Sequence, residues 1–173
     1  MAPADGLQAG PDGRPRCSWC GQDPLYGRYH DREWGFPVKD DRRLFEKLCL
    51  EGFQSGLSWL TILKKRERFR QVFAGFDCAR LARFSARDVA RLLQDAGIVR
   101  HRGKIESAVN NARRMLELGE RHGSLAAFVW RFEPAPASRP RRLTWDALRQ
   151  MPQTAESRAL SRELKRAGFS FVG

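Results

Sequence analysis

An all-α fold is what this sequence predicts, and three observations carry it. Apolar residues recur at three- and four-residue spacing through most of the chain beyond residue 15. Capping residues precede several of these runs, and glycines close them. No alternating pattern longer than a few residues reads as a strand. With 173 residues, 42% of them hydrophobic, the chain can bury one core, or two small lobes sharing one. Its 32 Lys and Arg against 20 Asp and Glu give a formal charge of +12, which favours a polyanionic partner, nucleic acid ahead of a membrane surface. The charge is spread without a run of five or six like residues, so it marks a folded basic surface rather than a tail. Neither a signal peptide nor a spanning segment is legible, and the four cysteines read as reduced thiols of a cytosol. A cytoplasmic location is expected.

Residues 1–15 hold three Pro and three Gly with few apolar residues, and they read as a disordered extension. From Arg16 to Gly35 the sequence is dense in aromatics and metal-capable groups. Asp23 and Pro24 suit the cap and first position of a helix. That helix puts Tyr26 and His30 one turn apart, with Tyr29 close by. Cys17, Cys20 and His30 could supply thiolate and imidazole to zinc, but a structural zinc site wants four ligands, and a helix burying its aromatics explains the same residues.

Asp40 and Asp41 precede Leu44, Phe45 and Leu48 at helical spacing. Glu51 follows between Leu50 and Phe53, with no other acid until Glu67, and Gly52 and Gly56 allow a break before Trp59, Leu60, Ile62 and Leu63 open a second helix. A lone acid and an indole, eight residues apart, thus meet at a junction of apolar helices. A carboxylate there needs a cation or hydrogen-bond donors, and capping or pairing with an arginine is the plainer explanation. The second helix carries a basic face (Lys64, Lys65, Arg66, Arg68) and runs towards Gly75.

A helical turn near Leu81 is followed by Ser85, which caps a helix with Asp88 at the capping-box position and should stop at Ala96-Gly97. Beyond Arg100-His101-Arg102-Gly103-Lys104 another helix displays Ile105, Ala108, Val109, Ala112, Met115 and Leu116 on one face. Two helices around a basic, glycine-flanked turn make a helix-hairpin-helix suited to phosphates, through Arg100, Arg102, Lys104 and the free N–H groups at the second helix. A plain αα-hairpin fits the spacing equally well. Ser124 caps a short helix with Phe128 and Trp130; residues 133–142 read as a proline-rich loop; helical pieces at 145–150 and 155–166 follow, the last closed by Gly168.

Taken together, Arg-Cys-x-Trp, Asp-Pro-Leu-Tyr-x-x-Tyr-His-Asp-x-Glu-Trp-Gly, Leu-Glu-x-x-Gln-x-Gly-Leu-Ser-Trp and Asp-Ala-Gly-Ile-x-Arg-His-Arg-Gly-Lys-Ile resemble the bacterial DNA-3-methyladenine glycosylase I family, within the helix-hairpin-helix glycosylases. The resemblance covers residues 16–173 and implies one helical glycosylase domain there. It implies that Glu51 and Tyr29 meet the edge of the excised base, and that Trp59, with Trp19 and Tyr26, boxes it. Arg100, Arg102, Gly103 and Lys104 would hold DNA. Asn110 and Asn111 stand in the helix where related enzymes carry a catalytic Asp. The family's structural zinc would take Cys17 and His30, together with a His and a Cys that lie beyond the last residue of this chain; an incomplete metal segment is therefore expected. The implied activity is monofunctional hydrolysis of 3-methyladenine from alkylated double-stranded DNA by a monomer, without strand cleavage. Two other readings stay open: a catalytically weak protein that recognises alkylated or distorted duplex, and, with only the charge behind it, an RNA-binding helical module.

Overall fold

The computed structural model describes residues 6–140 and 142–173, and it is mostly helical. The described chain divides into two compact units: one runs up to Pro37 and includes Pro134–Thr154, the other comprises Val38–Glu133 and Ala155–Gly173.

The first unit opens with an antiparallel ribbon, β1 (Leu7–Ala9) and β2 (Pro15–Cys17), registered Leu7 to Cys17 and Ala9 to Pro15. Disorder is the expectation from sequence over residues 1–15; positions 1–5 lie outside the described residues, and the ribbon is drawn from the rest. The reason is a clamp that spacing conceals. Arg16 donates to Asp12 Oδ1 at 2.6 Å and to Asp31 Oδ2 at 2.7 Å, tying the ribbon's loop to the following helix. Gly6 has φ +70, and a Cβ there would fall 2.4 Å from the Trp145 ring, so only glycine allows this approach. Helix α1 (Pro24–Arg32) begins as expected, with the Asp23 side chain accepting from Leu25 N–H at 2.9 Å. A short helix late in the chain, α8 (Trp145–Arg149), also belongs to this unit.

The second unit holds α2 (Asp41–Gln54), α3 (Trp59–Val72), α4 (Cys78–Leu81), α5 (Ala86–Leu92), α6 (Arg102–His122), α7 (Leu125–Val129) and α9 (Ala155–Arg166). Phe45, Phe53, Phe69, Phe73 and Phe76 form its core, with ring centroids from 4.5 Å (Phe53 to Phe69) to 6.4 Å (Phe45 to Phe76). Asp40 caps α2 through Arg43 N–H at 2.8 Å, while Asp41 reaches the start of α7 and accepts from Leu125 and Ala126 N–H at 3.1 and 2.8 Å. Two aspartates that both read as caps thus serve two different helices. Ser85 and Asp88 form the capping box at α5. The α5 helix ends at Leu92, four residues before Ala96, and α6 begins at Arg102.

The segment after α9 is fastened along α6. Asn111 is 2% exposed; its Nδ2 donates to Ser170 O at 2.9 Å and its Oδ1 accepts from Ser170 N–H at 2.9 Å. Asn110 Nδ2 donates to Gly168 O at 2.8 Å, and Phe169 and Val172 are buried. A break at Gly52 is the expectation from sequence, yet Gly52 lies inside α2. A Cβ at Gly52 would come 3.0 Å from Phe171 O, so the glycine allows close approach of the C-terminal segment. Gly56, at φ +78, makes the actual turn between α2 and α3.

Candidate active site

The candidate residues fall into both units. In the first, β2, α1 and the turn of 3₁₀ helix at Ser18–Cys20 gather an aromatic nest. The Trp19 ring lies 5.0 Å from Tyr26, 6.4 Å from Tyr29, 5.4 Å from His30 and 5.2 Å from Trp34, measured between centroids. Tyr29 is buried, and burial pushes the Tyr26 phenol above its ordinary pKa. His30 Nε2 lies 3.3 Å from the Cys17 amide nitrogen, and Nδ1 faces Asp31 Oδ1 at 2.9 Å. A carboxylate holding one ring nitrogen leaves the other as a lone-pair donor, the state in which imidazole ligates a metal. Cys17 and His30 are therefore neighbours with suitable chemistry for half a tetrahedral shell. Among the described residues, however, no three His, Cys, Asp or Glu side chains gather as a metal site, so these residues do not by themselves fit a four-ligand zinc. Cys20 is buried, and its thiol is pushed up by desolvation.

In the second unit, Glu51 sits in the last turn of α2, and Trp59 is buried at the start of α3. Ser58 caps α3 by accepting Thr61 N–H at 3.1 Å, which fixes the indole just past the Gly56 turn. Glu51 is not the buried acid expected. Its side chain is 49% exposed, because the last turn of α2 presents position 51 outward while Leu50 and Phe53 turn into the core. Its cation is Lys47, one helical turn back, with Nζ 2.8 Å from Glu51 Oε1. The same Nζ stands 3.8 Å from the centroid of the Trp59 ring. One ammonium is thus shared by a carboxylate and an indole face.

The turn at 93–101 is anchored from α3. Arg68 Nε donates to Asp95 Oδ2 at 2.8 Å, Asp95 Oδ1 accepts Gly97 N–H at 2.8 Å, and Lys65 Nζ donates to Ala96 O at 2.9 Å. Asp95 is accordingly held below the ordinary carboxylate range, chiefly by Arg68. Arg100 and Arg102 are exposed. Lys104 corrects the sequence reading: it is 7% exposed and donates to Phe53 O at 3.0 Å and to Ser55 O, closing the C-terminal carbonyls of α2. Its side chain does not reach the surface, and burial lowers its pKa. His101 caps α6 through Lys104 N–H at 3.3 Å. Among the described residues, the amides of Arg102 and Gly103 meet no acceptor. The sequence reading missed Lys47, which a four-residue spacing to Glu51 could have found. It also missed an open cavity of about 520 Å³ where Arg68, Arg80, Arg83 and Arg91 surround Val72 and Phe84.

The described residues thus form a mostly helical protein whose first unit carries an aromatic nest and whose second carries a carboxylate and an indole sharing one ammonium, groups of the kind that hold flat or cationic ligands. Comparison with known proteins narrows this. The sequence model of the family described as methyladenine glycosylase matches residues 19–173. The chain belongs to this family. It is 48% identical to DNA-3-methyladenine glycosylase 1 of Escherichia coli (strain K12), with 91% of this chain and 83% of that protein covered. To the DNA-3-methyladenine glycosylase of Haemophilus influenzae it is 43% identical, covering 91% and 84%. Among solved structures, a 3-methyladenine DNA glycosylase I superposes with a TM-score of 0.82 at 50% identity, covering 91% of this chain and 86% of that one. A structure from Staphylococcus aureus described as showing 3-methyladenine recognition gives 0.81 at 37% identity, covering 91% and 83%.

Proposed function

We propose that this chain is a monofunctional DNA-3-methyladenine glycosylase of base excision repair, acting on alkylated double-stranded DNA. The observation that carries the reading beyond family membership is the cation held jointly by Glu51 and Trp59, at 2.8 and 3.8 Å. Methylation at N3 makes adenine cationic within DNA, so the same pair of groups favours it over neutral adenine. By family resemblance Trp19, Tyr26 and Tyr29, gathered within the first unit, would offer aromatic surface to an unstacked base, and a damaged base flips at lower cost. The chemistry needs little else. Water adds to C1′ of the sugar and gives up one proton to solvent, the C1′–N9 pair departs with the base, and the base leaves neutral. Glu51 accepts N–H from the base edge, which holds the cationic base, and its negative charge also favours the positive charge that passes to the sugar as the C1′–N9 bond breaks.

A helix-hairpin-helix formed by α5, the anchored turn and α6 would hold the duplex. Arg100 and Arg102 meet phosphates as charges, and the amides of Arg102 and Gly103 meet them at the positive end of a 21-residue helix. A structural zinc at Cys17 and His30 would need two donors from outside the described residues. Asn111, turned to Ser170, has no free side chain for a hydrolytic role, so water activation does not run through that position. The protein acts as a monomer in the cytoplasm, and no described helix is long and apolar enough to cross a membrane.

The test is incubation with methylated duplex DNA and chromatography of the released bases. Free 3-methyladenine and abasic sites without strand nicks are expected. Binding of the duplex with no released base would leave a recognition protein instead of an enzyme.

A further inference from the structure

We propose that Lys47 is a resident occupant of the cation site, so that position 47 sets how tightly a cationic base is held. The inference rests on the reading of Glu51 and Trp59 as base-binding groups. The Lys47 ammonium already makes the two contacts a purine cation would seek there: Nζ to Glu51 Oε1 at 2.8 Å and Nζ to the indole centroid at 3.8 Å. A lysine four residues before an acid on one helix reaches it by side-chain rotation alone, so the ammonium can withdraw without moving α2. The pair is also easy to open. The Lys47 and Glu51 side chains are 42% and 49% exposed, and water competes for both ends of a half-exposed ion pair.

Two consequences follow from this geometry. Without a base, Lys47 neutralises Glu51 and covers the indole face. When a base enters, its own charge must replace that of Lys47, and an uncharged base offers Glu51 no compensation for losing the ammonium. An uncharged base therefore leaves the ammonium on Glu51, and Lys47 is a specificity-determining residue that discounts cationic ligands, the ones that must displace it.

The experiment measures calorimetric binding of 3,9-dimethyladeninium, a purine with fixed charge, and of uncharged 9-methyladenine to the full chain. Wild type, Lys47→Met and Lys47→Arg are compared, with thermal unfolding as the control for folding. Lys47→Met should bind the fixed cation roughly fivefold to tenfold more tightly than wild type, in line with removal of one exposed ion pair and one cation–π interaction. Lys47→Arg, which keeps the charge, should stay within about twofold of wild type. The neutral purine should gain less than the cation in Lys47→Met. Unchanged or weaker cation binding by folded Lys47→Met overturns the proposal, as does the absence of cation binding in all three proteins. Base release from methylated DNA is measured alongside. A wild type that releases no 3-methyladenine, with cation affinity still rising in Lys47→Met, would remove the glycosylase reading and keep the cation site.

Discussion

Lys104 and Arg100 lie four residues apart in one basic stretch, yet of the two only Arg100 is exposed. Lys104 is consumed by carbonyls 49 and 51 residues away, at Ser55 and Phe53. Lys104→Met should therefore act on stability, leaving buried carbonyls without donors at a cost of about 1–3 kcal/mol. Denaturant unfolding should record the loss, and the salt dependence of DNA binding should keep its slope. Glu51 gives the opposite expectation. Its side chain is half exposed and paired only with Lys47 among the described residues, so Glu51→Gln should fold normally. Excision should fall by on the order of 10- to 100-fold, the worth of one hydrogen bond to a charged group. Near-normal release of 3-methyladenine by a folded Glu51→Gln protein would take Glu51 out of the mechanism.

Elements were legible where their determinants are local. The caps at Asp23, Asp40 and Ser85 each bond an amide within three residues, so a reader of the sequence sees both partners at once. The N-terminal ribbon was not legible, because Arg16 draws on Asp31 fifteen residues on, and neither strand exceeds three residues. The same limit hid Gly52, whose reason is a carbonyl at Phe171, and Lys104, whose partners are at the end of α2. The aromatic nest was readable from the one-turn spacing of Tyr26 and His30, whereas the exposure of Glu51 was not, since apolar flanks do not tell which way a side chain on α2 points. The ribbon carries its own pH dependence. Hydrogen bonds from Arg16, before any other influence, hold the Asp12 and Asp31 carboxyls well below the usual range. A carboxyl depressed in the folded state contributes stability that is complete above its unfolded pKa near about 4 and fades as pH falls below it. Amide exchange at Ser18, which donates to Gly6 O at 2.8 Å, should accelerate relative to the α2 core as pH drops through that window. Asp31→Asn should flatten the change. A similar argument covers Asn111: replacement by Asp keeps an acceptor for Ser170 N–H but sets a buried charge against Ser170 O, and should cost about 1–3 kcal/mol in denaturant unfolding.

At the scale of the whole molecule the formal charge of +12 overstates what a duplex can use. Arg16, Arg68 and Arg70 are committed to acids, Lys65 and Lys104 to carbonyls, and Lys47 to Glu51 and Trp59. The cations left for phosphates are those displayed on surfaces, above all Arg100 and Arg102 beside the open amides of α6. The turn that carries them is anchored from behind by the Arg68–Asp95 pair and by Lys65 on Ala96, so on the proposed reading they would meet phosphates from an anchored turn. The number of phosphates neutralised can then be read from ion release. Replacing Arg100 and Arg102 with Ala should weaken binding to about the same extent on methylated and unmethylated duplex. The slope of log affinity against log salt should fall by roughly one unit for each phosphate that is no longer neutralised. Because Arg102 also faces Glu106 at 3.4 Å, its single replacement should change the slope less than that of Arg100. An unchanged slope in the double variant would show the turn to be scaffold only, and would direct the search to the arginines around the cavity at Val72 and Phe84, where Arg80 and Arg83 project without an acidic partner among the described residues.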